Sequence, residues 1–138
     1  MNDLNPSCRH ALSCNIGEAT RGHYAVRDDV LQLFSLADSS CAVEVPNLIP
    51  SCPGLRPADI FTSASHPGRR AALDIGITFC ESSGSGVDCC DSMYTKKKRV
   101  YEPHGEELLE GGIVYEPVVF SSYGRLHPRA MLRNIMMH

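Results

Sequence analysis

The chain has 138 residues and a formal net charge of −3, with no Trp and few aromatic residues. This length suits one domain, whose single hydrophobic core must rest on Leu, Ile, Val and Ala. The charge excludes a globally basic surface, so contact with nucleic acid would need a local patch. Two such patches are present, at 69–70 (Arg-Arg) and 96–99 (Lys-Lys-Lys-Arg), although a basic run is more often a solvated helix face.

Residues 1–19 are polar and predicted to be irregular. They lack the apolar core of a signal peptide, and no stretch of the chain approaches membrane-spanning length. We therefore expect an intracellular protein that does not enter a membrane.

The remaining elements follow from the spacing of apolar residues. Helical spacing predicts a helix between residues 21 and 37, and a short strand at 41–45 ends at Pro46. A loop rich in Pro and Gly leads into a hairpin. The later elements are a flexible break at 82–86, a helix at 87–101, a short turn at 106–109, a strand at 113–120 and a helix at 128–137. The order α-β-β-β-α-β-α predicts an α/β domain with a mixed central sheet, because only the last strand is reached through a helix.

Two aspartates, Asp59 and Asp74, flank the predicted hairpin. The midpoint between them is the bond between His66 and Pro67, next to Gly68, and Pro and Gly favour chain reversal. Folding about this point places the two side chains opposite each other, about 4.5–5.5 Å apart at Cβ. Since like charges at that separation repel, the pairing favours a divalent metal ion between them.

The strand that carries Asp74 alternates with a period of two. Leu73, Ile75, Ile77 and Phe79 share one face, predicted to be buried. The other face carries Asp74 among small residues, which leaves room for a ligand. A lone aspartate in this pattern would more often be a solvent-facing residue of a half-buried strand.

The seven cysteines are odd in number and accompany no secretory signal, which favours reduced thiols or metal ligands over disulfides. Cys8, His10 and Cys14 offer three zinc ligands, whereas a structural zinc site usually has four. They are a candidate zinc-binding module, but an incomplete one. We expect the adjacent Cys89 and Cys90 to be small buried residues.

The order of these features resembles the PD-(D/E)xK restriction-endonuclease-like fold. More narrowly, it is similar to the carboxy-terminal endonuclease region of site-specific non-LTR retrotransposon polyproteins. The resemblance covers roughly residues 8–135. It rests on the segments 10–14, 22–28, 44, 55–60, 72–75, 96–101, 117–119 and 123–124.

This resemblance implies a Mg²⁺-dependent endonuclease whose partner is DNA, and hence a nuclear location. Asp59 and Asp74 would bind the metal ion, which would polarise the phosphate and lower the pKa of the attacking water. Glu44 is a candidate third acid and metal ligand, or else a surface residue. His23 stands where related endonucleases often have a helix histidine, with either a catalytic or a structural role.

The chain departs from the family pattern at the position of one lysine. Gly76 replaces the lysine that usually follows the second aspartate by two residues, so the resemblance implies a basic residue from the following helix. Of the candidates Lys96, Lys97 and Lys98, we predict that Lys97 is this basic residue.

Residues 1–19 resemble the second half of a zinc knuckle whose first half is missing, ahead of an endonuclease-like domain at 20–138. We therefore expect a fragment of a decayed mobile element. The alternative function is a non-catalytic nucleic-acid-binding remnant of the same element.

Overall fold

The computed structural model describes residues 22–79 and 88–129. Within these ranges four strands form one mixed sheet in the order β1-β2-β3-β4. The first two pairings are antiparallel, and β3 pairs with β4 in parallel. The elements are α1 (22–35), β1 (Ala42–Val43), β2 (Ile60–His66), β3 (Arg69–Thr78), α2 (Cys89–Tyr101), a 3₁₀ turn (Glu102–His104), α3 (Gly105–Glu110) and β4 (Ile113–Ser121).

The predicted α/β class and mixed sheet are confirmed, but the order of elements differs. A short helix, α3, stands between α2 and β4, where only a turn was predicted. The first strand has two residues, because Glu44 takes a positive φ of 48° that ends the extended segment. The predicted break at 82–86, residues 1–19 and all but the start of the helix predicted at 128–137 lie outside the described residues.

At the end far from its turn, the β2–β3 hairpin pairs in the register predicted from the sequence. Ile60 pairs with Leu73, and Thr62 pairs with Ala71. Nearer the turn the register shifts, so that His66 pairs with Arg69 around a two-residue turn. Gly68 has a φ of 71° in that turn, a conformation that glycine adopts without a steric penalty.

Both faces of the sheet are covered. One cluster joins Val30 and Phe34 of α1 to Leu73 and Ile75 of β3. The opposite cluster contains Ala72 of β3, together with buried residues from β2, the loop before it, α3 and β4. The prediction of one open face is therefore wrong, because α2 and α3 pack where the small residues of β3 leave room.

The strand ends sooner than its period suggested, at Thr78, and Phe79 is 68% exposed instead of buried. Helix α2 begins at Cys89 because the side chain of Asp88 accepts hydrogen bonds from the N–H groups of Cys90 and Asp91. None of the helices in the described ranges is both long and apolar enough to cross a bilayer.

Candidate metal centre

Asp59 lies one residue before β2, at the point where the hairpin ladder ends. The last paired residues of the ladder are Ile60 and Leu73, so Asp59 lies just beyond them, alongside the segment of β3 that carries Asp74. The N–H of Asp59 donates to the carbonyl of Leu73 at 2.9 Å. Its Oδ2 atom accepts a hydrogen bond from the N–H of Ile75 at 2.7 Å. One oxygen of the Asp59 carboxylate is thus held against the backbone of β3.

Asp74 is held by side chains from two other elements. Its Oδ1 atom accepts a hydrogen bond from Nζ of Lys97 on α2 at 2.8 Å. Its Oδ2 atom accepts one from the hydroxyl of Tyr115 on β4 at 2.6 Å. The side chains of Asp74 and Lys97 are 16% and 23% exposed, so this ion pair is largely withdrawn from water. Lys97 is the lysine of α2 whose ammonium contacts the second aspartate.

Gly76 provides the space through which Lys97 reaches Asp74. A Cβ atom at position 76 would lie 2.6 Å from Cε of Lys97 and 2.6 Å from Sδ of Met93. Such separations are shorter than any real van der Waals contact, so a side chain at position 76 would displace both neighbours. Gly76 and the lysine supplied by α2 are therefore parts of one arrangement.

Burial is the main reason that the pKa of Asp59 is raised above its ordinary value. The negative charge of Asp74 raises it further. The hydrogen bond from Ile75 and the charges of His23 and Lys97 lower it, without cancelling the increase. Burial, with a smaller contribution from Asp74, therefore disfavours the ionised form of Asp59, and a cation bound beside it would offset this.

His23 and Glu44 each contact Asp59. Nε2 of His23 is 3.5 Å from Oδ1 of Asp59. The backbone N–H of Glu44 donates to the carbonyl of Asp59 at 3.0 Å, but its side chain is 44% exposed and pairs with Arg27 at 3.2 Å. Among the described residues, the carboxylates of Glu44, Asp59 and Asp74 do not gather within 4.8 Å of one another.

A separate group, Asp88, Cys89 and Cys90, has ligand atoms within 4.8 Å of one another and could hold a metal ion. In the described structure two of these three residues have other partners. Asp88 forms two hydrogen bonds with Arg125, and Cys89 is disulfide-bonded. The expectation of reduced thiols therefore fails at Cys89. It holds for Cys90 and for two half-buried cysteines, Cys41 and Cys52. Cys8, His10 and Cys14 lie outside the described residues.

The basic patches noted in the sequence are exposed. Arg69 and Arg70 stand at the hairpin turn, where the guanidinium of Arg70 lies 4.2 Å from the ring centroid of Phe61. Lys96 and Arg99 are exposed on α2. These positions leave both patches open to a partner, as a solvated surface also would be.

The sequence reasoning missed Tyr115. For this segment the sequence predicted only a strand at residues 113–120. The contact with Asp74 depends on β4 pairing in parallel with β3, where Ala72 stands beside Tyr115. A hydroxyl-bearing aromatic residue in a mostly apolar strand was the one available signal.

Comparison of the chain with protein-family models, with curated proteins and with solved structures gave no match. The function must therefore be argued from the geometry of the carboxylates, the lysine and the tyrosine. These are one acidic side chain directly before β2 and one on β3, the latter bound by a lysine from the packed helix α2.

Proposed function

We propose that the chain is a Mg²⁺-dependent DNA endonuclease domain with a restriction-endonuclease-like core, of the kind found in non-LTR retrotransposons. The observation that carries this proposal is the convergence of Asp59, which directly precedes β2, with Asp74 of β3 and Lys97 of α2. Two carboxylates and an ammonium group at one place are the components that metal-dependent hydrolysis of a phosphodiester uses.

The donor atoms suit Mg²⁺. This ion prefers oxygen ligands and usually takes one or two carboxylates, with water and substrate phosphate completing its coordination. Asp59 and Asp74 provide that number of carboxylates, and the raised pKa of Asp59 reflects burial and repulsion that a cation would offset. When bound, Mg²⁺ would polarise the scissile phosphate and lower the pKa of a bound water.

The protein groups have distinct roles in this proposal. Since Ile75 holds Oδ2 of Asp59, Oδ1 is the oxygen left for a ligand, within 3.5 Å of His23. Lys97 orients Asp74 and brings a positive charge to the place where a phosphate would carry negative charge. Glu44 is a further metal ligand only if its ion pair with Arg27 opens.

Nicking of supercoiled plasmid DNA in the presence of Mg²⁺ tests the proposal. We expect Asp59→Asn and Asp74→Asn each to abolish nicking, because each removes a negatively charged oxygen ligand. We expect Lys97→Met to reduce kcat by about 10²–10³, the usual effect of losing one electrostatic stabiliser. The matched control is Asp29→Asn, which changes an exposed aspartate of α1 and should retain wild-type activity.

Two results would overturn the proposal. One is nicking that survives removal of divalent metal by a chelator. The other is wild-type nicking in both aspartate variants. A folded wild-type protein that does not nick DNA, yet binds it with strong salt dependence, would identify the non-catalytic remnant instead. The exposed arginines and lysines of the hairpin turn and α2 are what that second function would use.

A further inference from the structure

Tyr115 joins the candidate metal centre to the interior of the protein. Its side chain belongs to the buried cluster between the sheet and α3, and the residue is only 9% exposed. Its ring centroid lies 4.5 Å from that of Tyr101. Its hydroxyl, 2.6 Å from Oδ2 of Asp74, is also 3.4 Å from the carbonyl of Lys97. One hydroxyl thus contacts both the strand carboxylate and the helix that supplies the lysine.

The direction of this hydrogen bond is fixed by chemistry. An ionised carboxylate can only accept, so the phenol must donate its proton to Asp74. A phenol is protonated at neutral pH, since its ordinary pKa is about 10. The donor is therefore present throughout the pH range in which the protein would act.

Together, Lys97 and Tyr115 donate hydrogen bonds to both carboxylate oxygens of Asp74, from two different elements. Lys97 contacts Oδ1 from α2, and Tyr115 contacts Oδ2 from β4. A carboxylate held at both oxygens cannot rotate freely about its terminal bond. Each oxygen keeps a further lone pair that can face a metal ion.

We propose that Tyr115 is a positioning residue that orients Asp74 as a metal ligand. This inference rests on the proposed function, since it assigns Asp74 to the metal ion. Hydrogen-bond partners of ligand side chains fix their geometry, and removing one typically lowers metal affinity by about 10–100-fold. Tyr115 acts through Asp74 and does not itself touch the metal ion or the DNA.

The test compares Tyr115→Phe with Tyr101→Phe. Both changes remove one hydroxyl and keep the ring. Within the described residues the hydroxyl of Tyr101 makes no hydrogen bond, so its variant is the matched control. Mg²⁺ binding to the DNA-free protein is measured by isothermal titration calorimetry, and folding is checked by thermal unfolding. We expect Tyr115→Phe to bind Mg²⁺ about 10–100-fold more weakly than the wild type, and Tyr101→Phe to bind it like the wild type.

Plasmid nicking then separates positioning from catalysis. In Tyr115→Phe the Mg²⁺ concentration for half-maximal nicking should rise with the dissociation constant, while the rate at saturating Mg²⁺ should stay within a few-fold of wild type. Unchanged Mg²⁺ affinity, with only a lower unfolding temperature, would overturn the positioning role and leave the endonuclease proposal intact. A wild-type protein that binds no Mg²⁺ would overturn the endonuclease proposal itself.

Discussion

Replacing Gly76 by alanine tests the central feature of the site, which is the passage of the Lys97 side chain over β3. The added Cβ would lie 2.6 Å from both Cε of Lys97 and Sδ of Met93. Both obstructing atoms belong to flexible side chains, so we expect them to move and β3 to stay in place. Movement of Lys97 breaks its 2.8 Å bond to Asp74.

Three contributions set the size of the effect. Loss of a hydrogen bond between charged groups costs about 1.5–3 kcal/mol. Crowding in a packed region adds about 1–3 kcal/mol. Alanine also lowers the conformational entropy of the unfolded chain, which offsets about 0.4–1 kcal/mol of this loss of stability. We therefore expect Gly76→Ala to lower the free energy of unfolding by about 2–4 kcal/mol, and the melting temperature by roughly 3–5 °C for each kcal/mol in a chain of this size.

Urea unfolding followed by circular dichroism measures this change. Gly54→Ala is the matched control, because a Cβ at Gly54 meets no atom within 4 Å and its φ is not positive. A double-mutant cycle with Lys97→Ala identifies the cause. In that background Gly76→Ala should cost about 1–2 kcal/mol less, because one of the two obstructing atoms and the ion pair are already gone.

Equal stability of Gly76→Ala and Gly54→Ala would refute the reasoning, because it would show that position 76 has room for a side chain. An unchanged cost in the Lys97→Ala background would show that the crowding does not involve Lys97.

Two further predictions concern buried carboxylates and pH. Asp38 is 7% exposed and accepts hydrogen bonds from Ser40, Thr62 and Ser63, which hold its pKa well below 3.8. Asp38→Asn should lower the free energy of unfolding by about 2 kcal/mol at pH 7. Urea unfolding should show this difference shrinking as the pH falls below 3.8. The pKa of Asp38 is lowered in the folded protein, so its ionised form stabilises the fold above the unfolded pKa, and protonation in acid removes that stabilisation. A difference independent of pH would contradict this. The pKa of Asp59 is raised in the folded protein, so its ionised form destabilises the metal-free fold at neutral pH. This destabilisation disappears as the pH falls through the folded pKa towards the unfolded value of 3.8. In chelator, Asp59→Asn should therefore melt at or above the wild-type temperature at pH 7, and a marked decrease would contradict the cause assigned to the shift.

The local features of the site could be predicted because they depend on residues close in sequence. The turn at residues 67–68 and the alternation of β3 set which residues of the hairpin oppose each other. The register near the aspartates agrees with the prediction, although an irregularity between Thr62 and His66 absorbs a shift near the turn. The pairing of Ile60 with Leu73, next to the two aspartates, thus follows from the sequence before any tertiary contact is known.

The interpretation of the small residues around Asp74 was wrong for a physical reason. Ala72 and Gly76 were expected to leave room for a ligand, but both are buried. Small side chains allow any neighbouring group to pack closely, and the sequence does not show whether that group is a ligand or another element of the chain. Here α2 does so, and Lys97 and Met93 occupy the space at Gly76.

The sequence by itself determined the hairpin, its register next to the two aspartates and the helix that carries the lysines, since these follow from turn residues and periodicity over short spans. Only the tertiary structure decided that Lys97 contacts Asp74, that Tyr115 holds the other oxygen, and that Glu44 turns to Arg27. These contacts depend on how α2 packs on the sheet and on the parallel pairing of β4 with β3. Such long-range packing is the sum of many weak contacts, and no single segment of the chain encodes it.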